Sequence, residues 1–98
     1  MKTRKVIWTP AVRKKLVEFR SPRFTPEETM DFISQFVLET EDLLNIPLIG
    51  KAYTEEFGIY KGISRMVIRK FQVYFEQFNN DVIIIAVLFP GENKQPGY

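Results

Sequence analysis

The sequence contains neither cysteine nor histidine. The first absence excludes a disulfide scaffold and cysteine-ligated zinc or iron–sulfur centres. The second removes the usual general base of neutral-pH catalysis and leaves carboxylates as the only strong metal ligands, so no cofactor is expected. Long apolar runs are missing as well. None approaches the ~20 residues of a membrane-crossing helix. The opening MKTRKVIW has a basic start but only a three-residue apolar run, short of the h-region of a secretory signal. Together these absences lead to the expectation of a soluble, cytoplasmic protein that does not contact membranes.

What is present suits a packed globule. The 98 residues are 45% hydrophobic and 14% aromatic, enough for one core, and residues 1–98 are expected to form a single domain with 91–98 as a possible flexible tail. Net charge is only +2, but its distribution is lopsided. Residues 1–23 carry eight Lys and Arg against one acid, whereas residues 24–60 carry eight acids against one Lys. Such a split offers a basic surface to an acidic partner beside a separate acidic helix. Ordinary solvated helix faces would give the same pattern.

Local signals order the elements. Arg4–Trp8, RKVIW, reads as a strand of β-branched and aromatic residues. Thr9–Pro10 supplies an N-cap and a Pro at the first helical position. Val12, Leu16 and Phe19 then form an inward stripe, with Arg13, Lys14, Lys15 and Glu18 on the other side. Pro22 ends that helix. Thr25–Glu28, TPEE, is a capping box opening a longer helix to about Leu44. Its apolar stripe is Phe32, Ile33, Phe36, Val37, Leu43 and Leu44, and Glu39, Glu41 and Asp42 are expected towards solvent. Lys51–Gly62 reads as a connecting loop. Three β-rich runs follow, ISRMVI, FQVYFEQF and VIIIAVLF, divided at Arg69–Lys70 and at Asn79–Asp81. The last is apolar on both faces, as in a central strand covered by a helix. The expected fold is α+β, β-α-α-β-β-β, with two helices against a small, mainly antiparallel sheet.

In this order, WTPAVRKKL, LLNIPLIGK, GISRMVIRKFQVYF and NNDVIIIAVLF resemble the RelE/ParE superfamily of bacterial toxins over about residues 5–94. The resemblance implies the toxin of a type II toxin–antitoxin module, neutralised by a cognate antitoxin that wraps it. Members of the RelE branch cut messenger RNA in the ribosomal A site with basic and aromatic side chains on the concave sheet face. Members of the ParE branch poison DNA gyrase and lack that set, and a degenerate, non-toxic member would only bind its antitoxin. This chain departs from the pattern in several places. Many relatives end the last strand in an apolar–His–Gly–Arg-like string; here LFPGENK puts Phe89 in the His place, with Lys94 the nearby cation. Relatives often end the third strand in Tyr, where this chain has Phe75 beside Tyr74. A family Arg falls on Ser64 or Arg65, depending on a one-residue shift.

Cleavage through the 2′-hydroxyl needs a proton acceptor, a proton donor and cations for the developing charge, not histidine as such. The catalytic candidates are Arg65, Lys94 and Tyr98. For nucleic-acid binding they are Arg13, Lys14, Lys15, Arg69, Lys70 and Tyr74. If the strand persisted through the Arg69–Lys70 junction, Arg65 and Arg69 would share a face and grip phosphate together. Snorkelling side chains on a solvated strand would look the same. An open sheet edge is expected to take up an antitoxin strand.

Overall fold

A computed structural model describes residues 5–44 and 53–92. In chain order the elements are β1 (Lys5–Trp8), α1 (Pro10–Val17), α2 (Pro26–Leu44), β2 (Tyr53–Thr54), β3 (Ser64–Ile68), β4 (Phe71–Phe78) and β5 (Asp81–Leu88). The sheet order is β1-β5-β4-β3-β2. Neighbours are antiparallel except β1, which runs parallel to β5 with Trp8 opposite Ile84. The α+β class and both helices agree with expectation. The Lys51–Gly62 segment departs from it: Tyr53–Thr54 pairs with Arg65 and Ser64, making a fifth strand where a loop was expected. Two residues hold no periodic pattern, and only the partner strand makes them extended.

The helices start as their caps dictate. The Thr25 amide donates to Glu28 Oε1 (2.9 Å) and the Glu28 amide to Thr25 Oγ1 (3.1 Å), the reciprocal bonds of a capping box. Thr9 has the extended geometry of an N-cap, but its hydroxyl makes no cap bond and is buried without a hydrogen-bond partner among the described residues. At the end of α1, Arg20 donates to the carbonyls of Val17 (2.9 Å) and Phe19 (2.6 Å), satisfying acceptors the last turn leaves open.

The core lies between the helices and one face of the sheet. Val12, Leu16, Phe19, Phe36 and Leu44 meet Trp8, Ile68, Phe71, Val73, Phe75, Val82, Ile84 and Val87. Phe71 is its hub, with ring centroids 4.5 Å from Phe36, 5.3 Å from Phe19 and 5.5 Å from Phe89. The α2 stripe differs from expectation at two kinds of position. Leu43 is largely exposed, and Thr29 and Thr40 are buried instead. Each threonine donates its hydroxyl to the carbonyl four residues back, Thr25 and Phe36, so burial leaves no polar atom unpaired. Glu39 and Glu41 do not simply face water: Arg69 pairs with Glu39 at 3.2 Å, and the Trp8 indole N–H donates to Glu41 at 3.0 Å.

Strand β3 stops at Ile68, and Arg69 and Lys70 form the turn with φ of 51° and 69°. Arg65 and Arg69 therefore do not share a face. Two consecutive left-handed residues reverse the chain, which matches the twist of a two-residue hairpin but ends the alternation. Arg69 swings to the helix side, over the Phe32 ring at 5.6 Å. Farther along, β4 and β5 slip by one residue at Tyr74/Phe75, so that Tyr74 faces Ala86 while Phe75 faces Ile84, skipping Ile85. This bulge explains how a run apolar on both faces keeps Ile84 and Val87 in the core.

Candidate functional site

Opposite the helices, the second face of the sheet carries a polar cluster built from β3, β4 and the residues after β2. Arg65 sits directly across from Tyr74 in the β3–β4 ladder, and Gln72 lies one same-face step away. Ser64, the other candidate for the family arginine, is paired with Phe75 on the core side. Alternation thus places Arg65 and Tyr74 together, and Ser64 and Phe75 on the opposite face.

Glu55 completes the cluster. Its amide donates to the Ile63 carbonyl (3.0 Å) and its carbonyl accepts from Gly62 (2.8 Å), which extends the β2–β3 pairing by one step. Arg65 Nε lies 3.1 Å from Glu55 Oε1, and an Arg65 terminal nitrogen donates to Gln72 Oε1 at 3.0 Å. The Tyr74 hydroxyl lies 3.4 Å from Glu55 Oε1 and 3.3 Å from Gln72 Oε1. A phenol has one proton, so it serves these acceptors in alternation, and the charged one forms the stronger bond. Residues 56–61 fold back over the cluster, with glycines at φ 85° at Gly58 and Gly62. They lay Tyr60 on Tyr74 with centroids 4.2 Å apart. Glu55 is 5% exposed and Tyr74 fully buried, whereas the Arg65 side chain keeps 26% of its surface. Arg65, Gln72 and Tyr60 are the partly exposed members of the cluster, and Arg65 is its cation.

The other sequence candidates are distributed as follows. On α1, Lys14 is exposed and Arg13 donates to the Trp8 carbonyl at 3.1 Å. Lys15 pairs with Glu92 at 2.8 Å and stands 5.0 Å over the Phe89 ring. Arg69 and Lys70 sit at the β3–β4 turn. Lys94 and Tyr98 lie outside the described residues. Phe89 packs against Phe19 (4.9 Å) and Phe71, on the helix side. Beyond it a Pro90–Gly91 turn with Gly91 at φ 82° brings Glu92 back to the Phe89 amide at 2.8 Å. The described end of β5 therefore clasps α1. Burial pushes the Glu92 carboxyl up, but the Lys15 hydrogen bond, the Phe89 amide and the Lys15 charge outweigh it and hold it below the ordinary 4.5.

Sequence reasoning missed Glu55, Gln72 and Tyr60. Gln72 was legible in outline, since it alternates with the buried Phe71 and Val73. Glu55 and Tyr60 carry no local signal, because a cross-strand pairing and a folded-back loop decide their positions.

The chain matches no protein-family model, no curated protein and no solved structure. Among the described residues no group of three or more acidic side chains is placed to hold a metal ion, and no helix is long and apolar enough to cross a membrane.

Proposed function

We propose that this chain is the toxin of a two-component toxin–antitoxin module, that it resembles the RelE/ParE toxins in fold as well as in sequence strings, and that it cuts messenger RNA at the helix-free face of its sheet. The observation that carries this reading is the Arg65–Glu55–Tyr74–Gln72 cluster on that face. Arg65 is a half-exposed guanidinium suited to the non-bridging oxygens of a phosphate. Glu55 beside it is a carboxylate able to accept the 2′-hydroxyl proton once a bound strand displaces Tyr60. Gln72 and Tyr74 hold both in place. The proton for the leaving 5′-oxygen falls to Lys94 or Tyr98 in this scheme.

Antitoxin binding has its own support. Between α1 and α2 runs an apolar groove with Leu16, Val17, Met30, Ile33 and Val37 along it, flanked by Arg13 and Arg20. Val17 and Met30 are more than 70% exposed. Large exposed apolar side chains on facing helices mark a surface meant to be covered. An amphipathic antitoxin helix with acidic flanks fits that groove.

A second reading, gyrase inhibition without nuclease activity, is favoured by two observations. Glu55 already neutralises Arg65, and Phe89, just past β5, packs on the helix side. Brief induction of the chain in a bacterial host separates the two. New messenger RNA 5′ ends that disappear with Arg65→Ala support cleavage. Growth arrest with intact messenger RNA and loss of DNA supercoiling would transfer the proposal to gyrase.

A further inference from the structure

On the helix side, at the end of the molecule where the α1–α2 connection meets the β3–β4 turn, an open cleft of about 610 Å³ is lined by Phe19, Phe24, Phe32 and Phe71 below and by Arg20, Arg23, Arg69 and Lys70 around the rim. Among the described residues that line it, none is acidic. We infer that this cleft is a binding site for a small nucleoside phosphate, with the base against the Phe24–Phe32 pair and the phosphate held by Arg23, Arg69 and Lys70. It lies on the opposite face of the sheet from Arg65 and does not depend on the nuclease reading.

Four observations support it. The volume falls within the range of small-molecule pockets, and an apolar floor with a few convergent charges is their usual composition. Phe24 and Phe32 are tilted partners 5.2 Å apart at 39°, giving an angled apolar wall beside the guanidinium of Arg69. Arg69 gives its Nε to Glu39, and its two terminal nitrogens have no hydrogen-bond partner among the described residues. Neither Arg23 nor Lys70 has a carboxylate within ion-pair distance among those residues. Four cations gathered with one carboxylate nearby repel one another, and an anion relieves that repulsion.

The fourth observation is the turn itself. Arg69 and Lys70 both hold positive φ, a geometry that Asn and Gly adopt at far lower cost. A turn chosen for stability alone would carry those residues. Keeping two long cations there fits a selected role for their charge.

Stability and binding should therefore change in opposite directions. The test titrates the purified full chain with adenosine 5′-monophosphate, inorganic phosphate and adenosine, by calorimetry, alongside thermal unfolding. The nucleotide should bind more tightly than either fragment. Lys70→Gly should raise the unfolding midpoint yet weaken nucleotide binding at least about tenfold, the loss of one charge-assisted contact. Arg23→Ala, a change at an exposed position, should weaken binding without lowering the midpoint. No nucleotide binding at millimolar concentration would overturn the inference. So would equal affinity for inorganic phosphate, or binding of single-stranded oligonucleotide only.

Discussion

The two faces of the sheet share the same strands and differ in what covers them. Towards the helices, β3, β4 and β5 present Ile68, Phe71, Phe75, Val82 and Ile84, all sealed by α1 and α2. On the other side the same strands present Arg65, Gln72 and Tyr74, closed over by a short loop carrying Glu55 and Tyr60. On that second face Val67 and Phe78 remain more than 60% exposed. The first face draws its stability from apolar area and ring packing, which are insensitive to which residue is charged. The second depends on each polar group keeping its partner. The comparison places the apolar packing on one side and the polar cluster, the proposed site, on the other, and substitutions can break it in graded steps.

The largest effect is expected in the aromatic hub. Phe71→Ala should lower unfolding free energy by about 3–5 kcal/mol in urea titration, since four rings lose their common contact. Next comes the ion pair. Glu55→Ala removes the carboxylate paired with the partly buried Arg65 guanidinium and should cost about 2–4 kcal/mol by the same measurement, a figure reduced from the fully buried case because Arg65 reaches solvent. Thr25→Ala removes one half of the α2 capping box and should cost about 1 kcal/mol, touching neither face. The smallest effect belongs to the β5 clasp. Because Glu92 titrates below 4.5 in the folded chain, its contribution is present above that pH and lost as pH falls through the folded value. Glu92→Gln should flatten the acid side of the stability profile, with little change at pH 7 in high salt.

How far the sequence shows this arrangement depends on whether a feature is local or cross-strand. The capping box at Thr25–Glu28, the Pro10 start and the alternation of Phe71, Val73 and Phe75 are local, and each element stands where its pattern puts it. Features decided by pairing do not show. The strand at Tyr53–Thr54 and the burial of Glu55 depend on β3 and Ile63 lying across from them. The separation of Arg65 from Arg69 depends on a left-handed turn at two residues that do not advertise one. The threonines at 29 and 40 read as polar because their buried hydroxyls use the helix's own carbonyls. Of the candidate site, Arg65 and Tyr74 were legible as residues but their direct pairing was not.

One measurement bears on the division of labour most directly. The double substitution Glu55→Ala with Arg65→Ala removes both charges together, so neither is left buried and unpaired, and the helix-side core is untouched. The account predicts a chain that folds with a cooperative unfolding transition close to that of the parent and that lacks, when induced, the growth arrest proposed for the parent. A folded double variant that still arrests growth and cuts messenger RNA would contradict it, because the chemistry would then lie elsewhere.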